Sequence, residues 1–397
     1  MTSSSRLVSS SLRPLLGGAL FLAAACGGTT TSDNTTVDAG ADVAADGTAD
    51  TGAPFDASHA DTACTGCPPP PIDGGPITPG LPPDPGGPPP DGAGSIVLAF
   101  SHVYIGDTDR QGVASGAAWR QYGLNIDNKI TDRNSIDVCT LAAGASKSAQ
   151  VDGVGGIDNS WGNNILPIIL TTLGSNASTR MNDGIQNGDF TTMIRLDKVG
   201  AQQNYSPLPG LLYAGAKMQS PPTWSGSDVW PVDATSVNGN DVNTPKVVFT
   251  GGYMNARTWV GAPPTGNITL PFSFGGVGWG IALTHAQITM VVAQDGRTAS
   301  QGVISGVIPT EAYIAALEMV AGRISTSLCS GSAFDSIAQQ IRQASDIMVT
   351  GANLPGVACD GISLGWGFDA KLVKLGPLQQ PPTPTPDPCA PSDAGAD

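Results

Sequence analysis

Basic residues are scarce in this sequence. The 397 residues include 18 Lys and Arg against 33 Asp and Glu, which gives a formal net charge of −15. Residues 27–94 contain ten Asp and neither Lys nor Arg. A nucleic-acid-binding protein needs a basic stripe that meets the phosphate backbone, and no such stripe is found in the sequence. We therefore exclude nucleic acid as a partner.

Residues that commonly catalyse reactions are also few. His102 and His285 lie in strand-like runs, where a structural, hydrogen-bonded role is usual. The glutamates Glu311 and Glu318 are seven residues apart on one expected helix, whereas a glycosidase needs two carboxylates facing across a cleft. The H-E-x-x-H and P-loop motifs are missing from the sequence. A hydrolase would have to use aspartates such as Asp107, Asp109, Asp127 and Asp137.

The first 26 residues have the pattern of a secretory signal with a lipid attachment site. Arg6 and Arg13 precede an uncharged apolar run of about a dozen residues, which is too short to span a bilayer and suits a signal peptide. The run closes on Ala-Ala-Ala-Cys26 and resembles the lipobox of bacterial lipoproteins, in which the cysteine is acylated. The resemblance implies a signal peptide at 1–25, lipidation of Cys26 and, because Gly27 follows, an outer-membrane anchor facing the periplasm or the cell surface. An ordinary cleaved signal with a chance cysteine is the alternative.

Two segments have a composition that predicts disorder. Residues 26–94 are rich in Asp, Thr, Ala, Pro and Gly, so they cannot bury enough apolar surface to offset the entropy of ordering. Residues 378–397 form a similar Pro- and Asp-rich tail. Residues 95–377, between these segments, are long enough for a single globular domain.

The seven cysteines agree with an oxidising compartment and favour disulfide bonds. Cys329 and Cys359 flank a strongly periodic helix, and we expect them to form a structural bridge that contributes about 3 kcal/mol. Cys64 and Cys67 have the C-x-x-C spacing of a redox or zinc half-site. They lie in the low-complexity linker without a second such pair, which disfavours that function.

The domain is expected to be mainly β with a helical flank. Strand-like runs alternate apolar with polar or small residues, most clearly at 267–274. Helical spacing marks 311–324, after Thr310 as a plausible N-cap, and 332–348, while Asp158 is the candidate cap of a third helix that Pro167 bends or breaks. These patterns predict an α+β fold, either an antiparallel β-sandwich or an open barrel. The other strand-like runs are 95–105, 191–196, 210–218, 246–254, 280–294, 301–308 and 362–375.

Glycine-flanked turns rich in Asp and Asn recur along the domain, for example at 125–132 and 182–189, and residues 151–167, VDGVGGIDNSWGNNILP, are a dense case. Calcium takes six to eight oxygen ligands, and glycine lets backbone carbonyls turn inward. Asp152, Asp158 and Asn159 are the candidate metal ligands, with calcium as the candidate ion. The competing interpretation is a tight turn, because Asp, Asn and Gly occupy turns without any metal.

All seven tryptophans lie in the domain, and three occupy loop-like stretches. Trp224 and Trp230 belong to PPTWSGSDVWPVD, and Trp259 belongs to NARTWVGAPPTGN. An exposed indole is a large, rigid apolar surface on which a sugar ring can stack. The three are therefore candidate glycan-binding residues, although loop tryptophans also fold back over a core.

Several phrases of the domain resemble lipoproteins of predatory and social soil bacteria. They are GDTDRQGVASGAAWRQYGLNIDNKIT, DGVGGIDNSWGNNILP, AFDSIAQQIRQASDIM and CDGISLGWGF. The resemblance covers most of residues 100–370 and implies a cell-surface location and one domain, but no activity and no catalytic residue. We expect a lipid-anchored binding or adhesion module whose partners are the membrane, through its anchor, and glycans or other surface components. A secreted hydrolase acting on polysaccharide and a purely structural envelope protein are the alternatives.

Overall fold

A computed structural model describes residues 80–173, 177–262, 266–274, 277–329, 331–381 and 388–389. All of them belong to one compact unit that spans residues 71–397. The predicted signal peptide, the lipidation site Cys26, most of the predicted linker and much of the predicted tail lie outside the described residues. Within the described part, the chain forms a mixed sheet of 11 strands and four α-helices, so the expected mainly β, α+β class is confirmed.

Five of the strands close into a ring. The strands are β1 (Ser95–Tyr104), β2 (Thr191–Asp197), β3 (Gly210–Gly215), β4 (Val229–Asp233), β5 (Val247–Phe249), β6 (Tyr253–Asn255), β7 (Thr258–Gly261), β8 (Ile268–Phe274), β9 (Val277–Val292), β10 (Thr298–Pro309) and β11 (Gly361–Gln379). Their order is β1-β2-β3-β4-β11-β10-β9-β7-β6, and β1 also pairs with β11. We call β1, β2, β3, β4 and β11 the strand ring. Of the described strand pairs, β4 with β11 is parallel and the others are antiparallel.

The length of β11 allows the ring to close and the sheet to continue beyond it. Its 19 residues pair with β10 from Gly361 to Lys371 and, on the opposite edge, with β1 from Gly367 to Val373. Residues 374–379 then pair with β4, which takes the place of β10 along that edge. The structure therefore combines a small barrel with an open extension of the same sheet.

Alternate residues of the ring strands serve two hydrophobic cores. Val97 and Ala99 of β1 belong to a small core, whereas Leu98 and Phe100 belong to a large one. All five ring strands contribute to the small core, which identifies it as the interior of the ring, and its buried members are Val97, Ala99, Met193, Tyr213, Trp230, Val232, Val237 and Val373. The large core lies on the other face of the sheet, where the helices pack. This alternation is the period of two that an extended strand imposes on its side chains.

The helices are α1 (Leu166–Leu173), α2 (Ala177–Gln186), α3 (Thr310–Ile324) and α4 (Ser332–Gln343). The two helices expected after residue 310 are confirmed, although Thr310 is the first helical residue and Pro309 occupies the N-cap position. Helix α4 ends before the predicted residue 348 because Asp346 donates its backbone N–H to the Gly361 carbonyl of β11, at 3.1 Å. Helix α2 replaces an expected turn over residues 182–186. None of the described helices has the length and apolar character that a membrane crossing needs.

The helix expected after Asp158 opens with a π-turn. Residues Trp161–Ile165 form this turn, and Leu166 donates its N–H to the Trp161 carbonyl, five residues back. Pro167 has no N–H and cannot make the next backbone hydrogen bond. The chain nevertheless continues as α1, so Pro167 lies in the first turn of an α-helix and does not end it.

Residues 80–94, which we call the strap, pack on the domain. Asn125 N donates to the Gly80 carbonyl at 2.7 Å, and Gly92 N donates to the Lys198 carbonyl at 2.8 Å. Between these points, the Tyr253 hydroxyl donates to the carbonyl of Pro83 at 2.6 Å. The compact domain thus begins before the predicted residue 95, because the backbone of this Pro- and Gly-rich segment finds partners on the body. At the other end, β11 extends to Gln379, past the predicted residue 377.

The cysteines pair differently from the prediction. Disulfides join Cys139 to Cys359 and Cys329 to Cys389, with Cα–Cα distances of 5.2 and 4.9 Å. The predicted bridge between Cys329 and Cys359 is wrong, because two cysteines that flank a helix in sequence are each free to meet a different distant segment. The bond to Cys389 also ties part of the predicted disordered tail to the domain. Cys64 and Cys67 lie outside the described residues.

Candidate functional site

A pocket lined mainly by residues with polar side chains opens among the loops between β1 and α1. Its volume is about 360 Å³. It is lined by Arg120, Asp132, Arg133, Asn134, Ser148, Val151 and Asn163. The lining thus combines two guanidinium groups, one carboxylate and several amide and hydroxyl groups. We call it the arginine pocket, and we call residues 118–163 the pocket loops.

Arg120 is positioned by a 3-10 turn over Ala118–Gln121. The preceding Trp119 is buried and anchors the turn. The Arg120 guanidinium carbon lies 4.8 Å from the centroid of the Trp119 ring, and Nη1 donates to the Asp152 carbonyl at 3.4 Å. A guanidinium stacked on an aromatic face keeps donors along its edge for a planar acid group.

A second wall of the pocket is the turn that carries Arg133. Asn134 N donates to Asp132 Oδ1 at 2.7 Å, which closes an Asx turn around Arg133. The buried Gln150 fixes this turn by donating its Nε2 to the Asp132 carbonyl at 2.7 Å. Arg133 itself is exposed, so its guanidinium is accessible to a ligand.

The π-turn supplies the third wall. Asn163 lies within it and donates Nδ2 to the Ser148 carbonyl at 3.1 Å, which connects the π-turn to the 3-10 turn Lys147–Gln150. Single π-turns occur frequently at functional sites, where the extra residue redirects a side chain. Residues 151–167 therefore reach the pocket through Val151 and Asn163.

The predicted metal ligand Asp152 binds its own backbone surroundings instead. Its Oδ2 accepts the Thr131 N–H at 2.6 Å, and its Oδ1 accepts the Thr131 hydroxyl at 2.7 Å. Burial raises the pKa of this carboxyl to about 6, partly offset by the hydrogen bonds from Thr131. The Asp152 carboxylate thus holds the segment at Thr131 that leads into the Arg133 turn. The Asp152 backbone carbonyl accepts the hydrogen bond from the Arg120 guanidinium group.

Asp158 and Asn159, the other two predicted ligands, have similar roles. Asp158 Oδ2 accepts the Ile126 N–H at 2.6 Å, and burial raises the pKa of this carboxyl well above its ordinary value. Asn159 Nδ2 donates to the carbonyls of Trp119, Tyr122 and Gly365 at 3.1, 3.0 and 2.8 Å. Its Oδ1 accepts N–H groups at 3.0 Å from Gly162 and from Gly365. One buried amide therefore joins the Arg120 turn, the π-turn and β11.

These contacts favour the turn interpretation over the calcium interpretation. The carboxylate and amide oxygens accept hydrogen bonds from backbone N–H groups of the loops. These oxygens therefore do not point together at a site where an ion could bind. Within the described residues, no group of three or more His, Cys, Asp or Glu side chains is placed to hold a metal ion. Asp152, Asp158 and Asn159 instead support the walls of the arginine pocket from behind.

The candidate glycan-binding tryptophans do not form an exposed platform. Trp230 and Trp259 are each 0% exposed, so the prediction that they contact a sugar is wrong. Their indole N–H groups donate to the carbonyls of Ala216 and Leu208, at 2.9 and 3.0 Å, inside the protein. Both lie on strands, β4 and β7, where the sequence predicts loops. Trp224 is half-buried, with its ring 5.6 Å from that of Trp230.

The two candidate catalytic histidines occupy different surroundings. His102 is half-buried on β1 opposite Asp369 of β11, and burial lowers its pKa. The oxygens of Asp369 are engaged by other groups, since the Tyr104 hydroxyl donates to Oδ2 at 2.7 Å and Arg110 lies 3.6 Å from Oδ1. The imidazole instead lies beside the Tyr104 ring in a tilted arrangement, with 4.5 Å between the ring centroids. His285 is exposed on β9. Neither histidine is oriented by an acid as a general base requires.

The sequence interpretation missed the two arginines of the pocket. Arg120 and Arg133 come from different turns, and no local motif connects them. A usable signal was present, however: in a chain poor in basic residues, both flank the Asx-rich turn at 125–132. The stretch 151–167 was correctly singled out, although for side chains that support the pocket and not for those that line it.

Comparison with known proteins adds no relative from which a function can be transferred. The chain matches no protein-family model, no curated protein and no solved structure.

Proposed function

We propose that this protein is a lipid-anchored binding module of the cell envelope and that the arginine pocket binds an acidic sugar. The observation that supports this proposal most strongly is the pocket of about 360 Å³, which places Arg120 and Arg133 beside Asn134, Ser148 and Asn163. Pockets of this size accommodate small ligands or single residues of a polymer. The arginines supply paired donors for a carboxylate, and the amides and hydroxyl supply donors and acceptors for sugar hydroxyls.

The charge of the whole chain requires that an acidic ligand be recognised locally. Its formal net charge is −15, so long-range attraction does not bring an anion to this surface. The two guanidinium groups at this pocket are a local concentration of positive charge in an acidic chain, and they can bind an acid group there. Because Asp132 lines the same pocket, the two arginines leave one positive charge in excess, and a neutral sugar would not balance it.

The test is a calorimetric titration of the full chain with glucuronate and with glucose. We expect glucuronate to bind and glucose to bind at least about tenfold more weakly, because a hydrogen-bonded charge pair contributes on the order of 1.5–3 kcal/mol. Arg133→Ala should weaken glucuronate binding by a similar factor. Arg180→Ala, which removes an exposed arginine of α2 outside the pocket, is the matched control. Equal binding of the two sugars, or no effect of Arg133→Ala, would refute an acid-binding pocket.

The lipid anchor is proposed from the lipobox resemblance and has its own test. Mass spectrometry of the N-terminal peptide should find acyl chains on Cys26 in the natural host. Cys26→Ser should release the protein from the membrane fraction. Cleavage at another site with no acylation would show an ordinary secreted protein.

A further inference from the structure

Five large apolar side chains are exposed on three loops of the domain. Ile130 and Ile136 are 76% and 86% exposed, and Val154 is 53% exposed. Leu354 and Val357 are 50% and 42% exposed. We call these five residues the apolar platform. Exposed apolar residues on separate loops mark an interaction surface when they lie together.

Hydrogen bonds and a disulfide hold two of these loops together. Lys129 Nζ donates to the Asn353 carbonyl at 2.8 Å, next to Ile130 on one side and Leu354 on the other. Thr140 N donates to the Val357 carbonyl at 2.7 Å, and the Cys139–Cys359 disulfide closes the same junction. The platform residues of 130–136 and 354–357 therefore belong to one cross-linked structure.

The platform adjoins the arginine pocket. Ile130 and Ile136 flank the turn that contributes Asp132, Arg133 and Asn134 to the pocket. Val154 donates its backbone N–H to the Arg120 carbonyl at 2.9 Å. Apolar side chains thus border a pocket that contains two cationic groups. This arrangement complements a ligand with an acidic head and an apolar body.

Gly80, the first of the described residues, lies next to the loop that carries Val154. The Gly80 carbonyl accepts the Asn125 N–H at 2.7 Å, and a Cβ built on Gly80 would lie 3.1 Å from the Gly155 carbonyl. Gly155 follows Val154 of the platform directly. Residues 27–79 of the sequence separate Gly80 from the proposed lipidation site Cys26. A platform joined to the anchor in this way is presented to the membrane surface at a high effective concentration.

We infer that the acidic sugar is the head group of a membrane glycolipid, with the platform resting on the lipid surface around it. The inference rests on the proposed function, because the arginine pocket must bind the acid. The platform adds the lipid: its Ile, Val and Leu side chains enter the boundary between head groups and acyl chains. A free glycan in solution would use the pocket and leave the platform in water.

The experiment compares vesicle binding with soluble-sugar binding in the full chain carrying Cys26→Ser, so that no acyl chain contributes. Phosphatidylcholine vesicles contain either glucuronosyl diacylglycerol or glucosyl diacylglycerol. We expect tighter binding to the acidic vesicles than to free glucuronate. Ile136→Asp should weaken vesicle binding by about tenfold, because it replaces an inserted apolar side chain by a charge, and should leave glucuronate affinity unchanged. Met319→Asp, at a 65% exposed apolar position of α3, is the matched control and should change neither.

The outcomes separate the two proposals. If glucuronate binds but the vesicles bind no more tightly, or Ile136→Asp has no effect on them, the platform does not contact lipid while the pocket proposal stands. If Ile136→Asp only dissolves a dimer seen by sedimentation, the platform is a surface between copies and the lipid inference is overturned. If glucuronate does not bind and both vesicles bind equally, the acid-binding function fails as well.

Discussion

The strand ring and the pocket loops are stabilised by different kinds of buried residue. The interior of the ring is filled by side chains such as Trp230, Met193 and Val232. The buried residues of the pocket loops include an unusual share of polar groups, namely Thr131, Gln150, Asp152, Asp158, Asn159 and Ser160. Apolar packing tolerates substitutions that conserve side-chain volume with a modest loss of stability. A polar network in which every group is hydrogen-bonded specifies one arrangement of the chain. The ring therefore provides stability, and the polar network fixes the geometry of the site.

Truncating the core of the ring should have the largest effect on stability and little effect on the site. Trp230→Ala removes a fully buried indole and its hydrogen bond to Ala216, so we expect the free energy of unfolding to fall by about 3–5 kcal/mol. Urea unfolding measures this loss. The variant that remains folded should retain its affinity for glucuronate. Val229→Ala, at a 51% exposed position of the same strand, should stay within about 0.5 kcal/mol. A loss of glucuronate affinity in folded Trp230→Ala would contradict the separation of the two regions.

Removing one amide from the polar network should affect both stability and the site. Asn159→Ala removes the hydrogen bonds of this side chain to three carbonyls and two backbone N–H groups, and we expect a loss of about 2–3 kcal/mol. Because the Trp119 carbonyl belongs to the turn that carries Arg120, glucuronate affinity should fall in the folded variant. Asn187→Ala, in an exposed turn after α2, should change neither quantity. Unfolding curves and calorimetry on the same samples give the answer, and an unchanged affinity would show that the network does not position the pocket.

The buried carboxyls should make stability depend on pH in the direction opposite to that of ordinary salt-bridged acids. Burial raises the pKa of Asp346 to about 8 and that of Asp152 to about 6, from an unfolded value of 3.8. The folded state therefore holds more protons than the unfolded state, so this contribution to stability is complete below pH 3.8 and is lost as the pH rises through about 6 and about 8.

Asp346→Asn isolates the upper part of this pH window. Its amide preserves an acceptor for the Ser363 N–H, which Asp346 Oδ1 now accepts at 2.8 Å, and it carries no charge at any pH. We expect the variant to lose less stability than the parent between pH 6 and pH 8, the interval set by the two raised pKa values. Asp335→Asn, at an exposed position of α4, serves as the control. A parent whose unfolding free energy rises over this interval would contradict the assignment.

Calcium should have the smallest effect of all. The oxygens of Asp152 and Asp158 accept N–H groups from Thr131 and Ile126, so we expect the melting temperature of the full chain to be equal in excess calcium and in chelator. A rise with calcium that disappears in Asp152→Ala and Asp158→Ala would restore the ion-site interpretation.

The long strands could be predicted from the sequence, and two short ones could not. The run at 95–105 is long and rich in apolar residues, and it becomes β1, Ser95–Tyr104. In contrast, β4 has 5 residues with Pro231 at its centre, and β7 has 4 residues ending at Gly261. Proline and glycine are typical of loops, so local propensity placed Trp230 and Trp259 outside the sheet. Their burial depends on pairing with distant strands.

The glycines around Trp259 show what such long-range packing requires. A Cβ at Gly210 would lie 2.3 Å from the Trp259 ring, and a Cβ at Gly261 would lie 2.2 Å from it. These glycines are needed because the indole occupies the space of their missing side chains. The sequence shows the glycines but not the partner that makes them necessary. The disulfide pairing and the two arginines of the pocket depend on tertiary structure in the same way.

A crystal structure of the chain grown with glucuronate tests most directly whether the arginine pocket binds an acidic sugar. We predict a carboxylate within hydrogen-bonding distance of the Arg120 and Arg133 guanidinium groups, with sugar hydroxyls on Asn134 or Asn163. Asp152, Asp158 and Asn159 should keep their present hydrogen bonds. Glucuronate bound elsewhere on the domain, or an ion coordinated by Asp152 and Asp158 with their backbone contacts broken, would contradict the central claim.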